Sequence, residues 1–474
     1  MEFFLQSLIL LLISFITYTY IRLQRKLIRG TQTLPPGSLG WPLVGETYQI
    51  LFNKMEHYLQ DRQRKYSSDI FKTKLLGEPT VVLCGPSANK FVSMSEPKLV
   101  KVWYLKTQRK LFNLADQTHA APKHAAIAAA PVKILGFLKP EGMVKYMGNK
   151  IESIIEQHFM THWEGKTKLK VYPLVKTFSL TLAYHFYLGI DEQHQVAKFA
   201  TKFDNLHHGI YSVPLDLPGT TYHRALEAAG AIRKEIQILI KVKIDALSKG
   251  IVMDESLLAH IVGAERDGKY VPKFEISNII MGLMNSSYLL IAITLAFMIK
   301  HIGQRPDIHQ KIISEHAEIK KSKGSGTALD WDSIHKMKYT WAVAQETMRL
   351  YPTAPGVFRE AVTDITYEGF TIPKGWKIFW AIIGTNKNPK YFDDPESFDP
   401  SRFEGNVPAP YTYIPFGAGP RSCPGQDYTR FVILTFIHSL IIKFKWEVIV
   451  PDEKVSGASV PIPEEGIPIR LHHL

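Results

Sequence analysis

The segment Pro415-Phe416-Gly417-Ala418-Gly419-Pro420-Arg421-Ser422-Cys423-Pro424-Gly425 constrains this chain more than any other stretch. Its interleaved glycines and prolines exclude a helix or a strand and enforce a tight loop with backbone amides turned inward. An apolar helix is expected directly after it, over residues 429–444. Cys423 therefore arrives at a helix start, where unpaired N–H groups and the positive end of the helix dipole favour a thiolate over a thiol. A thiolate there can ligate a soft or borderline metal, and Arg421 can pair with an anionic group beside it. The plainer alternative is a buried structural cysteine.

Cys84 is the other cysteine of the chain. A disulfide framework and a cysteine-rich metal site are thus excluded, and the usage fits a reducing compartment. Any thiolate chemistry rests on one residue alone. The chain carries 57 basic against 44 acidic residues, a formal charge of +13. This excess is either a solvated basic face or a surface for an anionic membrane or an acidic protein partner. Nucleic acid is not expected as a partner, because no basic run is interleaved with aromatics and no zinc-knuckle spacing occurs. With 474 residues the chain forms one large or two smaller packed units, with core enough to bury a cofactor.

The amino terminus adds a membrane. Residues 3–21 are almost unbroken apolar sequence, just long enough to span a bilayer at roughly 1.5 Å per residue. Arg22, Arg25, Lys26 and Arg29 follow at once, which places the rest of the chain in the cytosol. A cleaved signal peptide would carry its charge before the apolar run and small residues after it. The expected organisation is a membrane anchor and basic stop over 1–30, a proline-rich hinge over 31–45, and a catalytic body over 46–474. The hinge, Leu34-Pro35-Pro36-Gly37-Ser38-Leu39-Gly40-Trp41-Pro42, is stiff and turn-rich.

Along the body, a strand is expected over 80–84, mainly helix over 140–350, strands again over 365–380, and loop over 386–415. The apolar stretch 279–299 lies mid-chain between polar helical segments, so it reads as a buried core helix rather than a second span.

The pattern Phe416-x-x-Gly419-x-Arg421-x-Cys423-x-Gly425 resembles the haem-binding signature of the cytochromes P-450. The resemblance implies a mainly α fold with small β-sheets, preceded by an N-terminal transmembrane helix. It implies that Cys423 is the thiolate ligand of a haem b iron, where a thiolate pushes electron density that favours O–O cleavage. It makes Arg421 a propionate contact, sets Phe416 near the cysteine, and includes Gly425 in the cofactor loop. Glu346-Thr347-Met348-Arg349 resembles the family's E-x-x-R, and Arg402 matches the arginine that completes this structural triad. Arg359 matches a second propionate contact. The segments 137–141, 369–375 and 466–471 look closest to plant oxidases of triterpenoids, diterpenoids, brassinosteroids and gibberellins.

Two departures stand out. Where the family carries an acid–alcohol pair for proton delivery, the central helix reads Ser286-Ser287-Tyr288-Leu289-Leu290. Leucine has no proton to give. Either Asn285, Ser287 or Thr294 organises water instead, or the substrate's own hydroxyl supplies the relay. The remaining alternative is a haem-thiolate isomerase, or a haem-binding or scaffold protein without turnover. The second departure is the run 125–131, which lacks a basic residue expected to reach a propionate; Lys133 or His124 stands near enough to compensate.

The resemblance thus implies a monooxygenase of a hydrophobic plant terpenoid (diterpenoid or triterpenoid) or steroid. It would use dioxygen and electrons from NADPH through NADPH-cytochrome P-450 reductase. A single-pass anchor would hold it to membrane lipid at the endoplasmic reticulum. The substrate would meet an apolar pocket lined by Met284, Tyr288, Leu289 and Ile291.

Overall fold

The clearest trace of the sequence in the fold is a five-stranded sheet whose alternate residues feed two separate apolar clusters. In the computed structural model of the chain, residues 33–474 are described except for 42–44, 53–54, 67, 115–135, 192, 265–271, 324–328, 406, 458–459 and 474. Of the first 32 residues only Leu11, Ser14, Phe15 and Tyr18 are described, all of them exposed. The expected anchor, its basic stop and the segment 124–133 therefore lie outside the described residues. Two interleaved units make up the chain. One comprises Met1–Trp103, Ala354–Pro395 and Ala409–Ser422; the other comprises Tyr104–Thr353, Glu396–Pro408 and Cys423–Leu474.

In the first unit the sheet runs Ile70–Leu75, Glu78–Leu83, Lys377–Trp380, Val357–Ala361 and Val100–Val102. Glu78–Leu83 and Lys377–Trp380 are parallel, with Val82 opposite Phe379, and the other neighbours are antiparallel. Side chains of successive strand residues point to opposite faces. Accordingly Ile70, Val81, Leu83, Ile378 and Trp380 pack with Ala88 and Val92 of the Gly85–Ser95 helix. Phe71, Val82 and Phe379 pack with Tyr58 and Leu59 of the Met55–Tyr66 helix. Buried on both faces at their centres, two of these strands carry short apolar runs, Val81-Val82-Leu83 and Ile378-Phe379-Trp380. The strand expected over 80–84 stops one residue earlier, because Cys84 is the N-cap of the next helix and Pro86 opens it.

The second unit is mainly helical. Its longest helix, Lys273–Gln304, packs against Val171–Ala183, Thr221–Ser248, Lys338–Leu350 and Gln426–Ile441. Every residue from Ile291 to Lys300 is buried, which a helix achieves only when it is surrounded. It is the one helix among the described residues long and apolar enough to cross a membrane, and two-thirds of its apolar window is buried. A core helix is what the sequence led one to expect here. The C-terminal apolar helix spans Gln426–Ile441 rather than 429–444, and residues 444–448 instead form a strand. That strand and Lys168–Lys170 flank Pro468–His473 in a small antiparallel sheet.

Candidate haem-thiolate site

The loop ahead of Cys423 is shaped by its glycines. Gly417 and Gly419 adopt φ of 72° and 75°, the left-handed region that glycine enters without cost. At Gly419 a Cβ would stand 2.4 Å from the carbonyl oxygen of Ser93, so the loop lies directly on the end of the Gly85–Ser95 helix. The Ser422 N–H donates to the Gly419 carbonyl at 3.0 Å and closes the turn. Phe416 is half-buried and Arg421 exposed.

Cys423 follows, two residues before Gly425, the N-cap of the Gln426–Ile441 helix. Of the two thiols it is the exposed one, and Cys84 is buried. Desolvation by the atoms packed around Cys423 pushes its thiol up, against a lowering hydrogen bond from the Gly425 N–H. The amide expected at the helix start is present, but desolvation outweighs it. A cation at the sulfur is what would tip the balance. Cys84 is raised much further, by burial first and by Asp69 second.

Glu346 and Arg349 share one face of the Lys338–Leu350 helix, one turn apart, and both are fully buried. Arg349 Nε donates to Glu346 Oε2 at 2.6 Å, and Nη2 donates to Oε1 at 2.7 Å. The same Nη2 reaches the Ser397 carbonyl at 3.1 Å, and the Asp399 N–H donates to Glu346 Oε1 at 2.9 Å. Arg402, on the 3₁₀ turn Pro400–Phe403, brings its Nε within 3.5 Å of Glu346 Oε1. The structure thus brings the three residues together around one buried carboxylate.

Arg359 lies in the strand Val357–Ala361, buried, with Nε 3.2 Å from Glu96 Oε2 and Nη1 donating to the Phe358 carbonyl. Arg421 Nε donates to the other oxygen of the same carboxylate, Glu96 Oε1, at 3.0 Å. Sequence reasoning missed Glu96; nothing local marks a glutamate 263 and 325 positions from its partners.

On the long helix, the three candidates for the missing relay differ. Ser287 donates to the Met284 carbonyl at 3.2 Å, and Thr294 donates to the Leu290 carbonyl at 3.0 Å. Such bonds to the preceding turn occupy the hydroxyl proton. Asn285 is 8% exposed, and its Oδ1 is buried with no hydrogen-bond partner. The expected lining residues Met284, Tyr288, Leu289 and Ile291 all belong to the core of this unit. The Tyr288 hydroxyl donates to Asp204 Oδ1 at 3.0 Å, while Lys176 holds Oδ2 at 2.8 Å. A buried phenol needs a hydrogen-bond partner, and half-buried Asp204 supplies it.

A second missed residue is Tyr187, fully buried in the π-helical turn Tyr184–Leu188. Burial raises its phenol most; a hydrogen bond with Ser287 lowers it, and the nearby Cys423 raises it. No sequence signal marks a π-turn, although such turns recur at functional sites.

The comparisons agree with this geometry. The family profile "Cytochrome P450" matches residues 35–462. A β-amyrin 28-monooxygenase of Medicago truncatula is 41% identical over 475 residues, covering 99% of this chain and 98% of that protein. A β-amyrin 28-monooxygenase of Solanum lycopersicum is 43% identical over 453 residues, covering 94% of each. Among solved structures, retinoic acid-bound cyanobacterial CYP120A1 superposes with a TM-score of 0.82 at 25% identity, covering 94% of this chain and all of that one. A loop that offers one accessible thiol, a buried Glu–Arg pair and a match along nine-tenths of the sequence lead to one conclusion: the chain belongs to the cytochrome P450 family of haem-thiolate monooxygenases.

Proposed function

We propose that this enzyme oxidises a β-amyrin-type triterpenoid, with Cys423 as the thiolate ligand of haem b. The observation that carries the reading is the Cys423 loop: the accessible one of two thiols, presented at a helix N-terminus with the Gly425 amide donating to it. The donor set suits haem rather than a bare ion. Among the described residues no group of three or more His, Cys, Asp or Glu side chains could hold a metal. An iron at Cys423 therefore needs a macrocycle to complete its ligand set, and Arg359 and Arg421 are the cations to meet its propionates. Phe416 would pack beside the sulfur and Gly425 would supply the amide that orients it.

When bound, haem supplies dioxygen activation, with electrons delivered by a reductase. The chain's part is to hold the thiolate, exclude water and bring protons to the distal side. Leu289 and Leu290 exclude water and carry no proton. Asn285 Oδ1 is an unfilled acceptor on the same helix, so we assign to it the task of holding a water or a substrate hydroxyl. Ser287 and Thr294 are spent on backbone carbonyls and are weaker candidates.

The β-amyrin 28-monooxygenases suggest the substrate class, since a rigid, nearly wholly apolar polycycle suits a site with few polar groups. We further propose that residues 1–30 form a single-pass anchor in the endoplasmic reticulum membrane. NADPH-cytochrome P450 reductase would then be the electron donor, meeting the basic excess on the cytosolic side. Co-expression with that reductase and β-amyrin tests the reading. The expected result is an oxygenated triterpenoid formed only with NADPH and dioxygen. A rearranged product of unchanged mass, formed without dioxygen, would favour an isomerase instead. The membrane assignment is checked by deleting residues 1–30, which should release the protein from the membrane fraction.

A further inference from the structure

Arg359 and Arg421 lie far apart in sequence, yet one carboxylate joins them. Glu96 Oε1 accepts from Arg421 Nε at 3.0 Å, and Oε2 stands 3.2 Å from Arg359 Nε. The Glu96 and Arg359 side chains are each 9% exposed, whereas that of Arg421 is 60% exposed. An ion pair with so exposed an arginine adds little to stability, so stability alone is a poor account of the arrangement. What the arrangement does supply is geometry. Glu96 caps the Gly85–Ser95 helix, on whose last turn the Gly419 loop lies, and Arg359 is fixed in a strand between Val102 and Ile378. The hydrogen bond to Arg421 uses Nε alone, so the carboxylate orients this guanidinium without engaging its terminal nitrogens.

We propose that Glu96 is a positioning residue for the cofactor: it sets Arg359 and Arg421 at the spacing at which both meet the haem propionates, and its charge offsets part of theirs. The proposal rests on the reading that these two arginines are the propionate contacts. Partners that orient a cofactor's direct contacts typically matter by one to two orders of magnitude in affinity. With haem held by the two arginines, the carboxylate would add a negative charge on the propionate side, which would disfavour the electron-richer reduced state.

The test uses the full-length, haem-loaded protein. Haem transfer to excess apomyoglobin and the iron reduction potential are measured for Glu96→Ala, Glu96→Gln, Glu96→Asp, Arg359→Ala and Arg421→Ala. Glu96→Ala should lose haem about 10-fold faster, and Glu96→Asp should restore most of the retention. Glu96→Gln, which keeps the shape and folds if Glu96→Ala does not, should shift the potential upward. If the arginine variants lose haem quickly while all Glu96 variants behave as wild type, the proposal is wrong. Faster haem loss in the Glu96 variants with no change in potential marks a merely structural role and also overturns it. Wild-type retention in Arg359→Ala and Arg421→Ala would instead defeat the propionate reading itself, and the proposal with it.

Discussion

Arg349 grips Glu346 through two parallel hydrogen bonds of 2.6 and 2.7 Å, and neither side chain is exposed to solvent. Removing either partner would leave an uncompensated charge in the core, at a cost of about 3–5 kcal/mol. Glu346 also anchors the segment after it, through the Asp399 N–H and Arg402. Glu346→Ala and Arg349→Ala should therefore lower the midpoint of chemical unfolding markedly and reduce the yield of haem-loaded protein. A variant of either kind with wild-type unfolding and haem content would show that the pair does not hold this region.

Asn285 should matter more than the leucines beside it. If its Oδ1 holds the water or hydroxyl that the family's acid–alcohol pair normally serves, Asn285→Ala should cut product formed per NADPH consumed about 10-fold, less than the loss of a full general acid. Substituting Leu289→Asp with Leu290→Thr should change the rate by less than about 2-fold, because another group already does the work. A large gain from the double substitution, with no loss in Asn285→Ala, would reverse this assignment.

A buried histidine pair predicts the pH dependence of stability. His316 Nδ1 and His438 Nδ1 are 2.7 Å apart, and His316 Nε2 lies 2.8 Å from Thr340 Oγ1. Burial, and then the neighbouring histidine, lowers His316 to about 3; burial, then Lys320, lowers His438 to about 4. Both folded values lie below the unfolded 6.5, so the unfolded chain binds more protons in between. Stability is complete above about pH 6.5 and is lost as pH falls towards the folded values. His316 alone should account for about 2 kcal/mol near pH 5. Thermal unfolding from pH 7.5 to 4.5 checks this, and His438→Gln should flatten the slope. An unchanged slope would exclude the pair as its source.

Tyr288 is expected to be structural. Tyr288→Phe leaves half-buried Asp204 Oδ1 without its phenol donor and should cost about 0.5–1.5 kcal/mol. The spectrum of the carbon monoxide complex should be unaltered, since the hydroxyl points to Asp204. A spectral change without a stability change would return Tyr288 to the substrate pocket.

The parts legible in the sequence are those whose cause is local. Glycine, proline and cysteine at fixed offsets dictate the 415–425 loop, and Glu346 and Arg349 meet because residues three apart share a helix face. The long helix was visible as an apolar run, although its polar first turns, Lys273–Asn278, hid where it begins. Gln426 and Asp427 hid the start of the last helix in the same way. The partner of the Tyr288 hydroxyl, Asp204, was invisible because it lies 84 positions away on another helix. Glu96 was invisible because its role exists only once the strand holding Arg359 and the loop holding Arg421 converge. Tyr187 depends on a π-turn, for which residue preference gives no warning.

The account stands most directly on the thiolate. The reduced enzyme, exposed to carbon monoxide, should show the long-wavelength Soret band of a thiolate-ligated haem. Cys84→Ala should keep that band, since its buried thiol is held protonated far from any ligand role. Cys423→Ala should abolish it in a folded protein. Persistence of the band in Cys423→Ala, or its absence from the wild-type enzyme, would contradict the assignment of Cys423 as the iron ligand.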